Sequence, residues 1–189
     1  GYIGFSRDGA VVEDINHGKI VKYRLNSSKS LMSLFTSGYS KVWEKPLPSG
    51  VRPDSRIFVL SNSNIVFRHE YDNVTVVCDG DLNPIHTYTG DYGVLCGILQ
   101  LDKLLYNKKS GDDYVLNVYD SNSHHHVCRL PVSVMSDAIS TASHPASGWF
   151  VLTDQGGDTM YMFTCDYQLH TQVKLGFSPR SYYAVCCVG

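Results

Sequence analysis

The 189-residue chain has no apolar stretch near the roughly 18 residues that a membrane-spanning helix needs, and its start does not read as a secretory signal. Neither membrane nor leader is therefore expected. Charge is scarce: Asp, Glu, Lys and Arg make up 18%, against about a quarter in ordinary domains. That scarcity excludes a coiled coil and a strongly basic nucleic-acid arm, and 12% aromatics exclude a disordered tail. C-x-x-C pairs and Cys/His spacings of a zinc module are absent, which leaves metal and redox chemistry without a framework. The hydrolase elbow G-x-S-x-G is missing, since Gly4-Phe5-Ser6-Arg7-Asp8 and Gly176-Phe177-Ser178-Pro179-Arg180 each lack the second Gly. There is no Gly-rich phosphate loop or metalloprotease helix. The expectation is a folded, non-enzymatic protein without a cofactor. Lacking an initiator Met, the chain reads as a trimmed or excised piece.

What is present is unevenly placed. Residues 1–56 hold nine Lys/Arg against five Asp/Glu, and residues 57–189 hold seven against thirteen. All six cysteines (78, 96, 128, 165, 186 and 187) fall in or beside apolar strand-like runs and read as free, buried, small hydrophobes of a reducing compartment. This favours a cytoplasmic location. The sequons at Asn26 and Asn73 keep an extracellular one open.

A repeat runs through the chain. Four units share one order: apolar run, turn, apolar run, acidic loop, apolar run, hairpin turn, apolar run. The third runs end at Asn26, Asp79, Asp120 and Asp166, with spacings of 53, 41 and 46 residues. The runs are short, β-branched and aromatic, bounded by turn formers, and none keeps a helical period over three turns. Four strands per unit at a period of about 40–50 residues predicts an all-β fold, a β-propeller with about four four-stranded antiparallel blades. The blades are placed at 1–35, 57–90, 92–131 and 137–175, with an insertion at 36–56 and an extra strand at 182–188. A sandwich would not explain the fixed period.

Asp14-Ile15-Asn16-His17-Gly18-Lys19-Ile20-Val21-Lys22-Tyr23 resembles the blade signature of NHL-repeat propellers, which close many tripartite-motif proteins. Asp154-Gln155-Gly156-Gly157-Asp158-Thr159-Met160-Tyr161-Met162-Phe163 is similar without the basic residue; the other two units keep only the strand pattern. The resemblance implies a recognition module, and about six blades where this chain supplies four. It is a fragment, four blades closing alone, or one of two copies completing a ring.

In such a fold, loops between second and third strands share one end with the connections between blades. Asp14, His17, His69, Asp72 and Asp154 are expected there. Tyr39, Lys41, Trp43, Lys45 and Arg52 of the insertion join them, an aromatic-basic composition typical of interface hot spots. The reading is a scaffold-type protein-interaction module that binds a protein partner through this loop face. For Trp43 the opposed reading is a small core under its own loop. Two other classes stand beside it: single-stranded RNA binding by Lys19, Lys22, Arg24, Lys41, Lys45 and Arg52, and a surface module for glycans. Asp79-Gly80-Asp81-Leu82-Asn83 spaces oxygens as calcium loops do, but Pro84 stands where Gly is needed, so a polar hairpin is expected. His124-His125-His126 points alternately on an extended chain, so no metal site is expected.

Overall fold

The computed structural model describes residues 3–6, 9–14, 18–25, 39–51, 55–69, 73–136, 139–144, 146–154 and 156–176, and for 3–6, 9–14, 25, 39 and 69 the backbone only. The chain divides into two compact units, 1–90 and 91–189. Unit 1 holds β1 (Ile3–Ser6), β2 (Gly9–Asp14), β3 (Lys19–Leu25) and β4 (Tyr39–Pro46) in one sheet, and β5 (Arg56–Val59), β6 (Ile65–His69), β7 (Val74–Cys78) and β8 (Pro84–Thr89) in a second. Unit 2 holds β9 (Val94–Leu99), β10 (Lys103–Ser110), β11 (Asp113–Asp120) and β12 (His126–Val134), then β13 (Ile139–Ser143), β14 (Phe150–Asp154), β15 (Thr159–Phe163) and β16 (Leu169–Lys174). A 3-10 turn, Gln100–Asp102, links β9 to β10. Every sheet runs antiparallel in chain order, the up-and-down arrangement of a propeller blade.

One boundary differs from the sequence reading. The fourth strand of the first sheet is β4, inside the stretch 36–56 expected to be an insertion. The expected fourth run, Leu31 to Phe35, lies outside the described residues, as does the strand expected at 182–188. β4 pairs with β3 from Lys19↔Pro46 to Leu25↔Tyr39, and Pro46 ends it. An outermost strand has an unpaired edge, where charges such as Lys41, Glu44 and Lys45 are favourable. Those charges hide its strand character.

Within each unit the two sheets pack face to face. Period-2 alternation puts Ile57, Ile65, Phe67, Val76 and Cys78 on the face that meets Ile20 of β3. In unit 2, Leu105, Leu116 and Val118 meet Phe150, Leu152 and Phe163, with the two phenylalanine rings stacked at 4.9 Å. First strands run side by side: β9 lies so close to β13 that a Cβ at Gly97 would collide with Thr141.

Among the described residues, the hairpins between third and fourth strands are closed by a side chain at the same place. Asp79 Oδ1 accepts from the amides of Asp81 and Asn83, and Asp120 Oδ1 from those of Asn122 and Ser123. In the last hairpin Thr164, not Asp166, takes that role, its hydroxyl accepting from the Gln168 amide at 3.3 Å. Asp79 also accepts from Asn83 Nδ2, so this loop is the polar hairpin expected from Pro84.

Candidate functional site

Of the residues expected to form one loop face, those of β4 are divided between the two faces of that strand. A β-bulge places one extra residue, Val42, between Trp43 (opposite Lys22) and Lys41 (opposite Tyr23). The alternate residues Lys41 and Trp43 are thereby sent to opposite faces. Trp43 is half-buried against the unit 1 core, and Lys45 Nζ lies 5.1 Å over its ring while donating to the Asp81 carbonyl. Lys41 and Lys19 are on the other face and hold Glu44 at 3.0 and 3.4 Å; hydrogen bonds from these ammonium groups, Lys41 first, keep its carboxyl below the usual range. Tyr39 opens β4 at the far end, about 20 Å from Lys45 at ordinary strand rise. The basic residues named for RNA divide likewise: Lys22 is buried beside Ile20, whereas Lys19 and Lys41 are exposed with Glu44. Asp14 and His69 do end second strands, as expected. His17, Asp72 and Arg52 lie outside the described residues.

Asp154 is a correction. It is 3% exposed, and its carboxylate accepts from the Met135 amide at 2.6 Å, the Ser136 hydroxyl at 3.1 Å and the Gly156 amide at 3.0 Å. It ties the connection after β12 to the turn after β14 and offers nothing outward. Cys165 is another: it is exposed, because it sits in the β15–β16 hairpin and not in a strand, while Cys78 and Cys96 are buried.

The histidine tract splits up. His124 is buried among Tyr92, Tyr106 and Tyr119, with ring centroids 4.5, 5.7 and 5.1 Å away, and its Nε2 lies 3.0 Å from the Tyr106 hydroxyl. His126 pairs with Asn117 at 3.1 Å, and His125 is exposed. Burial holds His124 below the usual imidazole range. The unfolded chain therefore takes up a proton near pH 6.5 that the folded chain refuses, and stability falls as pH drops below that value. Thermal melts from pH 7.5 to 5 should fall more steeply for the native chain than for His124→Asn, which suits the same left-handed backbone (φ 55°). Parallel curves would show that this histidine does not titrate against folding.

The structure instead forms a cavity of about 230 Å³ in unit 2, at the opposite loop end of its sheets. Its floor is Leu99, Phe150 and Tyr167, all part of the core packing. Its walls come from three turns: Gln100–Asp102, residues 146–149 and the hairpin 164–168. Each turn is held by a backbone hydrogen bond, the first to the hairpin after β11 and the other two within themselves. The Asp102 carbonyl accepts from the Ser121 amide at 3.2 Å, the His144 amide donates to the Trp149 carbonyl at 2.7 Å, and the Thr164 amide donates to the Gln168 carbonyl at 2.9 Å. Gly148 adopts φ +73°, and a Cβ there would come within 3.1 Å of Cys165 Cβ, narrowing the opening. At the rim Leu101 is 81% exposed with φ 58°. Burial, then the neighbouring acidic groups Cys128, Asp120 and Asp166, hold the Tyr167 phenol above its usual range. No local motif announces this site, because it is assembled from turns 45 and 65 residues apart in the sequence.

No family model and no curated protein sequence matches the chain. Solved structures do. BBS1N, crystallised in complex with ARL6DN, aligns with a TM-score of 0.55 and 13% identity over 88% of this chain and 48% of its own. Virginiamycin B lyase from Staphylococcus aureus gives 0.54 and 12% over 89% and 53%. The dihydro-heme d1 dehydrogenase NirN gives 0.55 and 12% over 91% and 37%. These are β-propeller-type folds, and with four four-stranded antiparallel sheets this chain has a β-propeller-type fold too. It spans about half the length of the first two structures. At such identities the likeness shows the fold alone. Among the described residues no helix is long and apolar enough to cross a membrane.

Proposed function

We propose that the chain is a non-catalytic, NHL-like propeller module that recognises a protein partner through the cavity end of unit 2. The observation that carries this reading is the size and build of the cavity. At about 230 Å³ it exceeds the roughly 150 Å³ that accommodates a benzene ring and falls short of the roughly 300 Å³ where small-molecule sites begin. That is the size of one large side chain. An apolar floor under a preformed rim is the geometry of an interface anchor pocket. The resemblance to BBS1N, solved in a protein complex, is compatible with this use of the fold.

The test uses Leu101→Asn, which keeps the left-handed turn and removes the apolar rim. A partner recovered on the full chain, then purified and titrated back, should bind this variant at least tenfold more weakly, with the melting temperature unchanged or raised. A purified partner indifferent to both Leu101→Asn and the bulkier Ala146→Trp binds elsewhere and overturns the reading.

A further inference from the structure

The occupant of the cavity is open to further definition, and this step rests on the reading just given. Leu101 and Asp102 are consecutive non-glycine residues with left-handed backbone, φ 58° and 55°. Such a conformation is unfavourable for an L-residue, least so for Asp or Asn and more so for Leu. Here it holds a fully apolar side chain out in water beside a cavity with an apolar floor. A small molecule sunk in the cavity would leave Leu101 exposed; a polypeptide lying across the mouth would cover it.

The charge around the mouth is one-sided. Turns 100–102, 121–125, 144–149 and 164–168 contain Asp102 and Asp166 and no Lys or Arg. Asp120, at the end of β11, is matched by Lys103 at 2.7 Å, whereas Asp166 stands exposed in the β15–β16 hairpin and gives the mouth its negative charge. Complementary charge steers encounter and suppresses partners of the wrong sign.

We infer that the cavity of unit 2 takes an aromatic or branched apolar side chain from a protein segment that carries Lys or Arg on either side of it. The apolar residue fills the space over Leu99, Phe150 and Tyr167, its backbone crosses Leu101, and a flanking cation faces Asp166.

Three end-blocked tripeptides, Arg-Phe-Arg, Glu-Phe-Glu and Arg-Ala-Arg, serve as probes, titrated into the 15N-labelled full chain by NMR. Arg-Phe-Arg is expected to shift the amides of Leu101, Gly148 and Tyr167 with a dissociation constant at least tenfold below those of the other two. Leu101→Asn should weaken it about tenfold in a chain that melts no lower, and Asp166→Lys should erase most of the preference over Glu-Phe-Glu. Equal binding of the two phenylalanine peptides at these amides would overturn the charge inference and leave the recognition reading intact. Arg-Ala-Arg binding as tightly as Arg-Phe-Arg would reduce the site to bare charge and overturn the inference. If neither phenylalanine peptide shifts these amides the inference falls, and the recognition reading then stands or falls on the response of the purified partner to Leu101→Asn and Ala146→Trp.

Discussion

Replacing Asp154 by Ala is expected to lower stability by about 3–4 kcal/mol, the largest effect of any side chain named as a binding candidate. The carboxylate is buried and accepts three hydrogen bonds, two of them from backbone amides. Removing it leaves the Met135 and Gly156 amides without that acceptor, and an unsatisfied buried donor costs about 1–3 kcal/mol. Asp154→Asn should fall between, because one oxygen survives while the new amide group opposes a donor. Urea melts give the global value. Hydrogen exchange adds a local one: the Met135 and Gly156 amides should exchange faster in Asp154→Ala even where the rest of unit 2 is protected. A loss below about 1 kcal/mol with unchanged exchange would return Asp154 to the list of surface residues.

The second large effect is expected at Gly93, where β9 begins. Its φ is +88°, and a Cβ would come within 2.8 Å of the Asn107 carbonyl carbon and the Lys108 Cα. Both atoms are backbone in the neighbouring strand β10, so a rotamer change cannot make room. Gly93→Ala combines the left-handed penalty of about 1–2 kcal/mol with an overpacking cost of about 1–3 kcal/mol. The sum, about 3 kcal/mol, corresponds to a fall in Tm of roughly 10 °C for a chain this size. Gly111→Ala is the control. It shares a positive φ of 65° but has open space around it, so only the backbone penalty should remain. Equal losses at the two positions would mean that the close approach at Gly93 relaxes without cost.

Most of the fold was legible because strands announce themselves by local composition. Val74-Thr75-Val76-Val77 or Tyr114 to Tyr119 can hardly be anything else, and their neighbours follow from antiparallel hairpins. β4 was not legible for the reason that makes it an outer strand: its charges and the prolines after it look like a loop. The binding candidates were misplaced by one residue of register. Without the extra residue at Val42, Tyr39, Lys41, Trp43 and Lys45 would share a face; with it they do not. Asp154 reads in the sequence as one more acidic loop residue. Only the fold brings Met135 and Ser136 to it, across 19 and 18 residues of chain. The cavity was hidden for a related reason. Leu101 resembles the neighbouring core leucines Leu99 and Leu104, and nothing local shows that a left-handed turn points it outward.

The strict chain order of every sheet has a kinetic consequence. Each strand pairs with the segment that precedes or follows it, so within one sheet no pairing must await a distant part of the chain. Hairpins close in about 1–10 µs, and loop-closure entropy is small for connections as short as those after β7, β11 and β15. The side chains at Asp79, Asp120 and Thr164 favour three of these hairpins before any sheet meets its neighbour. The rate-limiting event is then expected to be the docking of preformed sheets, in unit 2 the meeting of Leu116 and Val118 with Phe150 and Phe163, which share one core. Conservative truncations there should slow refolding, whereas changes at the hairpin tips should act mainly on the speed of the earliest steps.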